Sequence, residues 1–157
     1  MAPRHKTQTE LNDDPIAFRV LNEIGITSQL ATTAFERMVP EGMTLAQFAV
    51  LNHFVRLGIP RSPSDLARAF QVSKATMTST LGRLIEKDLV TTAPDDSDGR
   101  AKLVTITAEG RRMRQACVAA MAPALRRLEA KLGAGALAAL IAPLGDLRAA
   151  LDTMRDP

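Results

Sequence analysis

Lys74, Thr76, Thr78, Ser79, Thr80 and Arg83 crowd into ten residues of this chain. Their groups suit contact with an anionic polymer. Short hydroxyls bond phosphate oxygens and reach base edges, and lysine and arginine add charge-assisted bonds. No acidic residue interrupts them before Glu86, whereas a helix face that meets only water usually mixes Glu with Lys. Met77, Leu81 and Leu84 recur at spacings of four and three, one apolar stripe of a helix. Ser73 stands where an N-cap hydroxyl would accept from a free backbone N–H. The hydroxyl and basic groups therefore lie off the buried stripe, and the chemistry they suit is recognition of a polyanion.

Bond-making chemistry finds no support in the remaining residues. His5, His53 and the single Cys117 give no Cys/His cluster of metal-ligand spacing. No Walker-type loop, Gly-x-Gly-x-x-Gly or Gly-x-Ser-x-Gly occurs. Asp95, Asp96 and Asp98 lack EF-hand spacing and a closing Glu, and read as acidic turn residues. Stacking on single strands is disfavoured, because Trp and Tyr are absent and every Phe precedes residue 71. No enzyme activity, cofactor or metal is expected.

The elements that must carry the polar face are legible on both sides of it. Ser62-Pro63-Ser64-Asp65 places an N-cap, a proline at the first helical position and an acid three residues after the cap. Leu66, Ala67 and Phe70 give this short helix its apolar face, with small Ala67 where the second helix crosses. Two short helices joined by a turn form a helix-turn-helix. Leu89–Ala93 and Arg100–Thr107 are rich in β-branched residues and flank the turn formers Pro94–Gly99. They predict a hairpin with a six-residue loop. The fold class expected is mainly α with a small β-hairpin wing, a winged helix-turn-helix.

Asp98-x-Arg100-x-Lys102-Leu103-Val104-x-Ile106-Thr107, followed by Glu109-Gly110-Arg111, resembles the wing signature of the MarR family of bacterial transcription regulators. Met43–Leu51 is similar to that family's second helix, and the resemblance covers roughly residues 15–154. It implies a homodimer made by the N- and C-terminal helices, with a winged lobe on each side that binds double-stranded DNA. On that reading Lys74, Thr76, Thr78, Ser79 and Arg83 engage the major groove and its phosphates. Arg100, oriented by Asp98, enters the adjacent minor groove, and Ser62, Ser73 and Lys102 complete the contacting set. The family commonly binds small aromatic or phenolic effectors between the dimer helices and the lobe. Phe35, Met38, Phe48, Asn52, His53, Met113 and Cys117 are the candidate lining residues here. Ser79 stands where many relatives have arginine, Gly82 where an acid is common, and Asp88 where glycine usually precedes the Leu-Val pair. Close approach of a backbone is the expected reason for Gly82. The competing classes are a winged-helix protein–protein adaptor and a redox-sensing regulator acting through Cys117.

The remaining chain is read as helix. Asp14-Pro15 starts one by the cap-then-proline pattern, running to about Val39, and Pro40–Gly42 breaks it. Thr44 and Gln47 form a capping box, with Met43 and Phe48 as its hydrophobic staple. That second helix reaches about Leu57, ended by Gly58–Pro60. Thr107 caps a helix to Leu132, with a kink expected near Ala119–Pro123. After Gly133, Leu137, Leu140, Ile141, Leu144, Leu147, Leu151 and Met154 form a last apolar stripe, which Pro143 should kink or split. The stripes over 15–39 and 113–154 exceed what a small lobe can cover, and self-association would bury them. The division expected is a tail at 1–13, helical dimerisation regions at 14–42 and 108–157, and the winged lobe at 43–107. A chain of 157 residues with net charge +3 is one domain's worth. The absence of a signal-peptide core and of eighteen uncharged apolar residues in a row predicts a soluble protein without a membrane partner. One cysteine fits a reducing cytoplasm.

Overall fold

Side-chain caps fix where most of the helices begin. The structure, a computed structural model, describes residues 13–95 and 98–154, with the backbone alone for 98–101. Helix α1 spans Ile16–Met38 and α2 spans Leu45–Leu57. At the start of α2 the Thr44 hydroxyl accepts from Gln47 N–H at 3.3 Å, and Gln47 Oε1 accepts from Thr44 N–H at 3.4 Å. Helix α3, Pro63–Ala69, is capped by Ser62, and α4, Lys74–Glu86, by Ser73. Helix α5, Ala108–Leu132, is capped by Thr107, whose hydroxyl also donates to the Asp88 carbonyl at 2.7 Å. The cap expected of Asp14 does not form. Pro15 is itself the N-cap of α1, in extended conformation, and its carbonyl accepts from Arg19 N–H.

Helices α3 and α4 end alike. After α3, Val72 N–H bonds the Ala67 carbonyl and Gln71 N–H the Arg68 carbonyl; after α4, Leu89 bonds Leu84 and Asp88 bonds Ile85. Both are Schellman motifs, which need a left-handed residue where the helix stops. Gln71 (φ 52°) and Asp88 (φ 55°) fill those positions, at a cost of about 1–2 kcal/mol for a residue with a Cβ. This explains why glycine suits the position of Asp88. Asp88→Gly should raise stability by about 1 kcal/mol, measured by urea unfolding; no gain would mean that the Asp88 side chain offsets its backbone strain.

The wing departs from its sequence reading. Strands β1, Val90–Asp95, and β2, Asp98–Ile106, pair antiparallel from Val90↔Ile106 to Pro94↔Lys102, and the register then shifts to Asp95↔Asp98. Pro94, Asp95, Asp98 and Gly99 thus belong to strands, and the expected six-residue loop is shorter. The pairing tolerates Pro94 because a two-stranded ribbon leaves one edge of each strand open. Arg61 exchanges two backbone bonds with Val104, at 3.1 and 2.8 Å, and adds a one-residue third edge.

The core is continuous. Val50, Leu51 and Phe54 of α2, Leu66 and Ala67 of α3, and Met77, Leu81 and Leu84 of α4 meet Leu89, Val90, Val104 and Ile106 of the wing and Cys117 of α5. Gly110 in the first turn of α5 lets that helix lie on the α4–β1 junction, since a Cβ there would sit 2.0 Å from the Leu89 carbonyl oxygen. The close approach expected at Gly82 is not found: nothing lies within 4 Å of a Cβ built there.

Helix α6 spans Ala134–Thr153, divided from α5 by Gly133 at φ 84°. Pro123 and Pro143 lie inside unbroken helices, so the split expected at Pro143 does not occur. By length and composition α6 could cross a membrane, with Asp146, Arg148 and Asp152 as its charged residues. In the single chain it packs no residue fully inside. Ile141 and Met154 are 72% and 75% exposed, and Ile16 at the start of α1 is 77% exposed.

Candidate nucleic-acid interface

Helix α4 buries Met77, Leu81 and Leu84 against the lobe, and this alone decides which residues face outward. Lys74, Thr76, Thr78, Ser79 and Arg83 are exposed, and Thr80 is half-buried. Several of the hydroxyls also hold the helix. Ser73 Oγ accepts from Thr76 N–H at 3.0 Å and shares a 2.8 Å hydrogen bond with Thr76 Oγ1, while Thr80 Oγ1 donates to the Thr76 carbonyl. Ser62 is half-buried, and its hydroxyl donates to Asp65 Oδ2 at 2.8 Å while capping α3. Its placement is thus that of a cap at the foot of the helix-turn-helix. Lys102 is exposed on β2 opposite Pro94. The side chains of Asp98 and Arg100 lie outside the described residues; their backbone is in β2.

Sequence reading missed the second wall of this surface. A cleft of about 360 Å³ runs between the start of α2 and the exposed face of α4, lined by Thr44, Ala46 and Gln47 on one side and Thr76, Ser79, Thr80 and Arg83 on the other. The capping box at Thr44 was a local signal. Its place beside α4 was not visible until the helices packed.

The seven residues expected to line an effector pocket lie on α1, α2 and α5, several of them in or against the core. Phe35 is buried with its ring 4.8 Å from Phe48. Phe48 and Met113 pack on the core, and Cys117 lies inside it at 0% exposure. Met38 is half-buried. Asn52 Oδ1 accepts from Arg114 Nε and Nη2 at 3.1 and 2.9 Å, tying α2 to α5. Among the described residues, His53 alone of the seven lines the larger cleft of about 710 Å³, where it meets Ile24, Arg56, Phe70, Leu144 and Arg148. Its ring centroid is 5.3 Å from that of Phe70. Burial first, then the charges of Arg56 and Arg61, hold the His53 pKa below its ordinary 6.5.

Burial pushes the Cys117 thiol above its ordinary value, against a smaller opposing backbone hydrogen bond. A buried thiol with a raised pKa presents little thiolate to an oxidant. Cys117→Ser should leave peroxide sensitivity of ligand or DNA binding unchanged. Release of the wild type but not the mutant by peroxide would identify a sensor thiol.

The MarR family model matches residues 41–101, the lobe from the α1–α2 turn into β2. The transcriptional activatory protein BadR of Rhodopseudomonas palustris is 35% identical over 96 residues, covering 60% of this chain and 53% of that protein. The match thus spans about half of that relative's length. Among solved structures, apo MarR from E. coli is 26% identical with a TM-score of 0.69, covering 85% of this chain and 96% of that one. A mutant of the same protein in complex with operator DNA is 24% identical, with a TM-score of 0.65 over 85% and 99% of the two chains. PcaV from Streptomyces coelicolor, in complex with its natural ligand, is 22% identical with a TM-score of 0.67 over 88% and 97%. The likeness in fold extends beyond the lobe into the flanking helices. Residues 41–101 thus carry the lobe of the MarR family of winged helix-turn-helix transcription regulators, and the flanking helices share the fold of MarR from E. coli.

Proposed function

We propose that this chain is a sequence-specific double-stranded DNA-binding regulator, acting as a homodimeric, ligand-responsive repressor in the cytoplasm. The observation that carries the reading is the outward face of α4, where Lys74, Thr76, Thr78, Ser79 and Arg83 stand exposed on a helix seated in the core. A protein–protein adaptor would instead favour an apolar centre on that face. Arg100, at the end of the wing, is assigned to a minor groove, whose negative potential favours a guanidinium. The domain division at residues 43–107 follows from this role: the lobe reads DNA, and the flanking helices pair two lobes. A two-fold dimer would set two copies of α4 against half-sites roughly 10 bp apart. The exposed apolar residues of α1 and α6 support that pairing.

The 710 Å³ cleft is our choice of effector site, replacing the residue set expected from the sequence apart from His53. Its size suits a small molecule. His53, Arg56 and Arg148 beside Ile24, Phe70 and Leu144 would hold an aromatic acid or a phenol. BadR's name favours a second reading, activation. A promoter fusion measured with and without this gene separates the two signs.

The test of DNA binding is a gel-shift titration against DNA upstream of the chain's own gene, at several salt concentrations and with a panel of phenolic acids. Arg100→Ala should keep fold and dimer, cost about 2–3 kcal/mol of specific affinity, and flatten the salt dependence by roughly one counterion. Lys74→Ala should weaken specific and non-specific DNA alike. An Arg100→Ala protein with wild-type affinity and slope would leave the wing without this role.

A further inference from the structure

Three apolar residues hold α4 to the lobe, but such packing is not directional and does not by itself fix how far the helix lies along its neighbours. One polar device does, since the Ser73 cap bonds only within α4 itself. At its end Lys87, the C-cap residue, reaches across to the α1–α2 junction, where its ammonium donates to the Gly42 carbonyl and, at 3.2 Å, to Gln47 Oε1. Gln47 is 3% exposed, and the same Oε1 accepts from Thr44 N–H. One buried amide oxygen therefore joins the start of α2 to the end of α4. Gly42 follows α1 by four residues, so this lysine ties the recognition helix to the chain leaving the first long helix. Gln47, Ser79 and Arg83 also line the same 360 Å³ cleft, which puts the anchored joint beside the outward face.

We propose that Lys87 is a positioning residue for DNA recognition: bonded to Gly42 and Gln47, it fixes the axial position of α4 and hence which base edges the hydroxyl face meets. The proposal rests on the DNA-binding reading above. A lysine in this role acts on discrimination, whereas a lysine bonded to phosphate acts on every duplex and on the salt slope.

The test uses full-length wild type and the variants Lys87→Ala, Lys87→Gln and Lys87→Arg. Each is titrated at several salt concentrations with two probes: a duplex enriched by the wild type from a random-sequence pool, and a scrambled duplex of equal length. Lys87→Ala should lose about tenfold on the enriched duplex, as for a lost bond to a charged group, with little change on the scrambled one and the same salt slope. Lys87→Arg should recover most of the loss, since a guanidinium still reaches both oxygens; Lys87→Gln, shorter and neutral, should not. If Lys87→Ala proves poorly folded, the Gln and Arg pair carries the comparison. Equal losses on both probes with a shallower slope would make Lys87 a phosphate contact and overturn the proposal. A lowered unfolding temperature with an unchanged ratio of the two affinities would overturn it as well. A wild type that enriches no duplex would instead overturn the DNA-binding reading itself.

Discussion

Gly110→Ala is expected to cost about 3 kcal/mol or more of folding stability, the range of overpacking that the backbone cannot relieve. The added methyl would sit 2.0 Å from the Leu89 carbonyl oxygen and 2.8 Å from Ile106 Cγ1. A flexible side-chain tip would move aside. The Leu89 carbonyl cannot, because it accepts from Thr107 N–H at 3.1 Å, while Leu89 N–H bonds Leu84 at the end of α4. Thr107 in turn caps α5 and donates to Asp88. Separating α5 from this junction would break the cap and expose Leu89 and Ile106 together. For a chain of this size the loss corresponds to a fall of roughly 6–12 °C in the unfolding midpoint at fixed protein concentration. Gly82→Ala is the matched control. It lies inside α4 with open space around it, so it should gain up to about 1 kcal/mol from helix propensity. Two glycine-to-alanine changes in helices would then act with opposite sign. Similar midpoints for both variants would mean that α5 does not lie on Leu89 as described.

Ile141→Asp should abolish dimerisation while leaving the single chain folded. Ile141 is 72% exposed in the isolated chain and stands in the apolar stripe of α6, so the lobe gains nothing from it. In a two-fold interface the same residue is contributed by both copies. A carboxylate that loses water without a partner costs several kcal/mol at each copy. The dimer should weaken by about a thousandfold or more, read by sedimentation across a range of protein concentrations. Operator affinity should fall with it, because one lobe then binds one half-site without the second tethered beside it. Circular dichroism should show the helices retained. A variant with wild-type sedimentation would mean that α6 does not carry the interface, and would leave its exposed apolar face to another partner.

The family resemblance in the wing and second helix covers the fold because much of its detail is local. Ser62, Ser73, the Thr44–Gln47 box and Thr107 cap the helices where their types and spacings place them. A cap needs a hydroxyl and an N–H two or three residues away, so neighbours in sequence decide it. The outward face of α4 was legible for a similar reason: once Met77, Leu81 and Leu84 are buried, the helical period sends Thr76, Ser79 and Arg83 elsewhere. Arg100 was legible only through its motif, and its side chain lies outside what the structure describes.

Tertiary structure decided what depends on distant residues. Pairing with β2 drew Pro94 and Asp95 out of the expected loop, because strand bonds with Asp98 and Lys102 stabilise a conformation that turn propensity alone does not reveal. Gly82 and Gly110 look alike in sequence, yet only the packing of α5 on Leu89 makes one of them indispensable. Asp88 follows the same rule: its departure from the family's glycine was visible, but its left-handed backbone was not. Phe35 and Cys117 were apolar enough for either a pocket or a core, and in the single chain the packing of distant helices buries both. Composition determines that a side chain leaves water; which neighbours it leaves water for is settled by contacts far apart in the chain, and so were the cleft beside His53 and the bonds of Lys87.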